Sequence, residues 1–366
     1  LRLVGSEMCI RDRLIVSMNT GIGSVFAGEQ STVPGTAEQP FVVTDGLFDQ
    51  TKTESDLGLS KIEGAETVTV FTATDDTDHY CNGVVMTEFK GKLYTQWQSS
   101  AKDEDAEDTW VAYSVSDDNG ATWSEPKVLV PTIDNGYCSS GGWFVSGDTL
   151  VSYINVWYSD TTPRGGFAYY VESTDGEHWS EMKPVLMKDG TPMEGIIEQD
   201  PHVLASGRIV NAAHFQPGLF AYPIYTDDPS GTKGWVKAQY TCMEQGEGAT
   251  TSREMEPSLF VNEDGTIVMT FRDQKSSFVR LAAISTDQGE TWSETVSTNM
   301  PDCRAKQSAG NLPDGTAYLV GCSVNNKGRW PLTITLSSDG KTFDTAYVLR
   351  THDEFPDCLL YTSDAA

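Results

Sequence analysis

Short apolar runs rich in Val, Ile, Tyr and Phe recur along this chain, separated by clusters of Gly, Asp, Ser and Thr. Trp110 to Val115, Phe167 to Val171, Phe278 to Ile284 and Leu332 to Leu336 are four of them, and their composition and length predict strands. Further runs lie upstream of each. Pro257 to Val261, the turn Asn262-Glu263-Asp264-Gly265 and Thr266 to Phe271 predict a hairpin. Leu312-Pro313-Asp314-Gly315-Thr316 begins a second, and Gly83 to Phe89 with Leu93 to Trp97 forms a third. Helical periodicity is almost absent, so the chain is expected to be all-β.

Each of the first four runs leads into a copy of one pattern. The copies are Ser116-Asp117-Asp118-Asn119-Gly120-Ala121-Thr122-Trp123, Ser173-Thr174-Asp175-Gly176-Glu177-His178-Trp179, Ser285-Thr286-Asp287-Gln288-Gly289-Glu290-Thr291-Trp292 and Ser337-Ser338-Asp339-Gly340-Lys341-Thr342-Phe343. Their starts are 57, 112 and 52 residues apart, and 112 is two steps of 56, so the chain repeats a unit of about 55 residues. The copy missing from that series falls at Thr226-Asp227-Asp228-Pro229-Ser230-Gly231-Thr232-Lys233-Gly234-Trp235, a decayed form. Ser and Asp side chains accept backbone N–H groups of their own turn, Gly supplies a positive φ, and the closing aromatic wedges between sheets. Four short strands per unit make a propeller blade.

The motifs resemble the Asp-boxes, or BNR repeats, of the sialidase superfamily, and the resemblance runs from about Thr67 to Arg350. It implies a six-bladed β-propeller, with the last blade truncated here. It also implies that Asp118, Asp175, Asp287 and Asp339 are structural, because Asp-boxes stand on the outer rim away from the active site.

Both ends look non-native. Residues 1–13 and 358–366 resemble translated sequencing-adapter reads and are set aside, and 14–28 reads as the remnant of a secretory signal. Residues 29–357 then form one propeller domain, expected to be secreted. The segment Glu66 to Phe71 is expected in the incomplete blade, with an exposed edge, and residues 1–13 are expected to pack poorly. A net charge of −28 argues against nucleic acid as a partner, because phosphate would be repelled. No run reaches the length of a membrane span. The five cysteines between the ends, Cys81, Cys138, Cys242, Cys303 and Cys322, show no CxxC pair and no metal pattern. Cys303 and Cys322 read either as a bridge within one blade or as buried thiols. No metal or cofactor is expected.

The resemblance also points to site residues. Glu256 precedes Pro257-Ser258, and Arg272 follows sixteen residues later. In sialidases a Glu so placed hydrogen-bonds a nucleophilic Tyr, and the Arg binds the substrate carboxylate, a planar bidentate match. Arg329, before Pro331 to Leu336, stands where a further carboxylate-binding Arg is expected, with Arg304 as a competitor. The general acid is expected in Lys102-Asp103-Glu104-Asp105-Ala106-Glu107-Asp108, as Asp105 or Asp108. Glu198-Gln199-Asp200-Pro201-His202 supplies further candidates, Asp200 and His202 among them, while His214 reads as a hydrogen-bonded core histidine. Two departures stand out. Tyr80-Cys81-Asn82-Gly83-Val84-Val85 occupies the place of the first triad Arg and contains none. The nucleophilic Tyr is expected some thirty residues past Arg329, where the non-native tail begins, and Tyr361 of that tail is not assigned the role. The expected activity is retaining hydrolysis of an anionic glycan. A polysaccharide lyase or non-sialic glycosidase on the same fold is one alternative, and a non-catalytic glycan-binding propeller is another.

Overall fold

The 55-residue period becomes five antiparallel sheets following one another in chain order, in a computed structural model that describes residues 2–4, 33–74 and 77–354. Blade 1 is Tyr80–Phe89, Lys92–Ser100, Trp110–Ser116 and Lys127–Val130. Blade 2 is Gly136–Ser146, Thr149–Tyr158, Phe167–Ser173 and Lys183–Pro184. In blade 3 the first strand is split into Gly195–Ile196 and His202–Val203, both paired with Ile209–Phe215, and Phe220–Thr226 and Val236–Lys237 follow. Blade 4 is Glu254–Val261, Ile267–Asp273, Val279–Ser285 and Val296–Pro301. Blade 5 is Ser308–Asn311, Ala317–Cys322, Leu332–Ser337 and Thr345–Arg350.

All four Asp-boxes and the decayed copy are turns between third and fourth strands. In the first box Asp118 Oδ1 accepts Ser116 Oγ–H at 2.8 Å and the Thr122 N–H at 2.8 Å, and Ser116 Oγ accepts the Gly120 N–H at 2.8 Å. The third box repeats these bonds through Asp287, Ser285, Thr291 and Gly289, each at 2.9 Å. In the decayed copy Thr226 Oγ1 takes the role of the first Ser and accepts the Asp228 N–H at 3.0 Å. The closing aromatic of a box packs on the blade before it. Trp179 of blade 2 lies 5.6 Å from Tyr113 of blade 1, and Phe343 of blade 5 lies 5.6 Å from Phe260 of blade 4. Trp235 of the decayed copy is fully buried with Phe144 and Tyr153 of blade 2. The box glycine has to lack a Cβ for the same reason. A Cβ on Gly176 would stand 2.0 Å from the Tyr94 hydroxyl of blade 1, and Gly176 has φ +75°.

The expected count of six blades is corrected to five among the described residues, none truncated. Blade 5 takes its fourth strand, Thr345–Arg350, from its own repeat. The segment ahead of blade 1 is used otherwise. Phe41, Val43, Phe48 and Leu57 bury against the core of blades 4 and 5, and Val42–Val43 pairs in parallel with Thr342–Phe343. The Asn299 side chain of blade 4 bonds both backbone groups of Val43, at 2.8 and 2.7 Å. Lys61 bridges in parallel to Val348, covering the outer edge of blade 5. Glu66–Val68 belongs to no blade, contrary to its expected place in an incomplete one, and runs parallel to Arg2–Val4. An unpaired strand edge takes a partner where one is within reach. Next to it, Val70 and Phe71 cover blade 1, and the Phe71 ring stacks on the fully buried Trp97 at 6.1 Å. Cys303 and Cys322 are both buried and form no bridge, and Cys322 Sγ–H donates to the Arg329 carbonyl at 2.8 Å. Among the described residues no helix is long and apolar enough to cross a membrane.

Candidate functional site

Antiparallel strands in fixed order put the second-to-third loops and the blade-to-blade connections at one end of the sheets, and the Asp-box turns at the other. At the loop end a cavity of about 170 Å³ is lined from all five blades. Of the expected residues, Glu256, Arg272, Arg329 and Asp105 line it together. Asp108 does not, because its Oδ2 accepts the Ala101 N–H at 3.1 Å and so pins the base of the 101–109 loop. Arg304 turns its backbone to the site's support, donating its N–H to Asp302 Oδ2 at 3.1 Å and offering its carbonyl to Arg329 Nη2 at 3.4 Å. Asp200 Oδ1 accepts the Trp143 N–H at 2.7 Å and ties blade 3 to blade 2. His202 sits in the short ladder opposite Val210 and does not line the cavity. The place of the expected nucleophilic Tyr lies outside the described residues.

Glu256 is held by local backbone geometry. The ladder of blade 4 shifts register between Met255 and Ser258, and Glu256 takes φ +50° at that bulge. Its N–H points to His214 Nε2 at 3.3 Å. Its carboxylate Oε2 faces Arg272 Nε at 3.3 Å, and Arg272 Nη2 donates to Gln274 Oε1 at 2.9 Å. Both charged groups are largely shielded from solvent, with side chains 16% and 12% exposed, which strengthens the attraction between them. His214 is fully buried and its Nδ1 faces Glu198 Oε2 at 3.3 Å. Burial holds its pKa below the usual histidine value, against the raising effect of Glu198 and Glu256.

Blade 1 presents Asn82, Glu104 and Asp105 to the same cavity. Glu104 Oε2 accepts Asn82 Nδ2–H at 3.0 Å and the Tyr80 hydroxyl at 3.3 Å. Burial, and then the charge of Asp105, raises its pKa above the ordinary carboxylate value. Asp105 Oδ1 accepts the Tyr137 hydroxyl at 2.7 Å and pairs with Arg164 Nη2. Arg164 also donates to the Tyr137 oxygen at 2.6 Å, and its guanidinium lies 4.9 Å from the Trp157 ring centre, over its face. Arg164 and Tyr137 are absent from the sequence expectations, and Glu104 appears there only as a member of the acidic run, with Asp105 or Asp108 named as the acid. Arg164 belongs to Thr162-Pro163-Arg164-Gly165-Gly166, which carries no motif; its only signal is its position in a second-to-third loop, the class that also holds Asp105, Gln274 and Arg329.

Four basic residues (Arg164, Arg272, Lys306, Arg329) and four acids (Glu104, Asp105, Glu198, Glu256) line the cavity. The chain as a whole has 25 basic against 53 acidic residues, so the cavity is richer in basic groups than the rest of the chain. The cavity thus holds the guanidinium groups of Arg272 from blade 4 and Arg329 from blade 5, together with a carboxyl group, Glu104, retained in its neutral form to higher pH than usual.

Residues 91–361 match the family described as BNR repeat-like domain. No curated relative matches the chain. Among solved structures, a protein of unknown function from Dyadobacter fermentans is similar at 15% identity and TM-score 0.61, covering 77% of this chain and 85% of its own. The intramolecular trans-sialidase of Ruminococcus gnavus, solved with oseltamivir carboxylate, is similar at 15% identity and TM-score 0.56, over 81% of this chain and 88% of that one. The NanB sialidase of Streptococcus pneumoniae is similar at 15% identity and TM-score 0.58, over 77% and 63%. At these identities the likeness is one of fold.

Proposed function

We propose that this chain, which belongs to the BNR repeat-like domain family, is a glycoside hydrolase acting on an anionic glycan. The observation that carries the reading is that Arg272 and Arg329, from adjacent blades, line one cavity with Glu256. Two guanidinium groups there match a sugar carboxylate, which accepts paired N–H bonds. In this reading Glu256, paired with Arg272, balances the charge that develops at the anomeric carbon. A carboxyl of the 101–109 loop protonates the leaving oxygen. The sialidases among the similar structures support the glycan class.

Blade 1 contributes Asn82, Gly83, Gln98, Glu104 and Asp105 to the cavity and no cation. That favours an anion held by two arginines, such as a uronate, over one that requires three, and keeps a non-sialic glycosidase or lyase as the second reading. Calorimetric titration with N-acetylneuraminate, glucuronate and neutral galactose tests the assignment. The acids should bind, more weakly as salt rises, and galactose should not. Equal binding of galactose, unchanged in Arg272→Ala, would rule out the anionic clamp.

A further inference from the structure

We infer that Glu104 is the proton donor to the leaving oxygen, an assignment that rests on the hydrolytic reading above. Glu104 and Asp105 are neighbours in the same loop, both line the cavity, and their surroundings separate them. Asp105 spends Oδ1 on Tyr137 and Arg164, which binds the loop to blade 2. Glu104 meets neutral donors, Tyr80 and Asn82, and both reach the same oxygen, Oε2. The neutral acid therefore carries its proton on Oε1. The loop backbone is fixed as well, since Gln98 Nε2 donates to the Glu104 carbonyl at 3.2 Å. The charged groups that act on Glu104 are Asp105 of its own loop, Arg164 of blade 2 and Glu256 of blade 4. Burial and the two acids favour the protonated form, while Arg164 and the Tyr80 hydrogen bond oppose it.

The step balances within the site. The proton leaves Glu104 Oε1 for the glycosidic oxygen as the bond from that oxygen to the anomeric carbon breaks, and the bonding pair stays on the oxygen. The water that completes hydrolysis bonds its oxygen to the anomeric carbon and returns a proton to Glu104. Tyr80 and Asn82, in the stretch where the family pattern has its first arginine, here serve the acid.

Methyl and nitrophenyl glycosides of N-acetylneuraminic acid and of glucuronic acid test this, because a nitrophenolate leaves without help and an alkoxide does not. Glu104→Gln should lose about 10²–10⁴-fold in kcat on the methyl glycoside and much less on the nitrophenyl one, and the alkaline limb of its pH profile should vanish. In parallel, ¹³C NMR of glutamate-labelled protein should show one carboxyl titrating above the ordinary range, lost in Glu104→Gln. Full activity of a folded Glu104→Gln on methyl glycosides, or a Glu104 carboxyl titrating at or below the ordinary value, overturns the assignment alone. A wild-type chain inactive on every glycoside overturns the hydrolytic reading and the donor with it.

Discussion

His214 Nε2 accepts the backbone N–H of Glu256 at 3.3 Å, from blade 3 to blade 4. The bond fixes the histidine tautomer: Nε2 is the acceptor, so the proton sits on Nδ1, which faces Glu198 Oε2 at 3.3 Å. It also supports a backbone conformation that costs about 1–3 kcal/mol for a residue other than glycine. Glu198, His214 and Glu256 thus form one line of support beneath the Arg272 pair.

Replacing His214 by Ala leaves the buried Glu256 N–H without its partner and should cost about 1–3 kcal/mol of stability. Urea denaturation measures this. An unchanged midpoint would show that the bond contributes nothing.

The same histidine gives a pH dependence. Its folded pKa lies below the ordinary value, mainly through burial, so the unfolded chain binds the extra proton first as pH falls. Stability should be level above about pH 6.5 and decline below it. His214→Gln should remove that contribution to the slope between pH 6.5 and 5, measured by denaturation at each pH. A slope equal to that of the wild type would contradict it.

Asp118 behaves with the opposite sign. Its backbone bond from Thr122, then the Thr122 and Ser116 hydroxyls, depress its pKa to about 2. The contribution of the box is present above the unfolded value of about 4 and is lost as pH falls through about 2. Asp118→Asn should lower the Tm at pH 7, and the gap from wild type should close toward pH 2. Glycan binding should be unaffected, because the turn lies at the end of the sheets opposite the cavity. A binding defect in a folded Asp118→Asn protein would show that the box does more than hold blade 1.

Trp235→Ala tests whether the decayed box still carries its wedge. The side chain is fully buried against blade 2 and its Nε1 donates to the Gly231 carbonyl at 2.8 Å. The change should cost about 3–5 kcal/mol. A cost below about 1 kcal/mol would mean that blade 3 packs without it.

The parts of the fold that were legible in the sequence have local signatures. Each box is a hydrogen-bonded turn written in consecutive residues, and counting the boxes, with Thr226 to Trp235 included, gives the five blades that the described residues form. The sixth came from the resemblance alone, and residues 33–61 spend their apolar positions on wrapping blades 4 and 5. Glu256 and Arg272 were legible because they end paired strands of one hairpin, where Arg272 stands opposite Met255. The blade 1 side was not. Glu104, Asp105 and Asp108 look alike in a run of acids, and only the packing of that loop on Tyr80, Asn82 and Tyr137 tells them apart. Arg164 and Tyr137 reach the cavity through the packing of blade 2 beside blade 1, which no spacing encodes.

Turnover of sialosides, uronides and neutral glycosides by the wild-type chain and by Arg272→Ala tests the central claim most directly. The anionic glycosides should be cleaved. Arg272→Ala should lose transition-state binding of about 2–5 kcal/mol, read as a fall in kcat/KM, because a partly buried charge loses its partner. Cleavage of neutral glycosides, at a rate that Arg272→Ala leaves unchanged, would contradict the account.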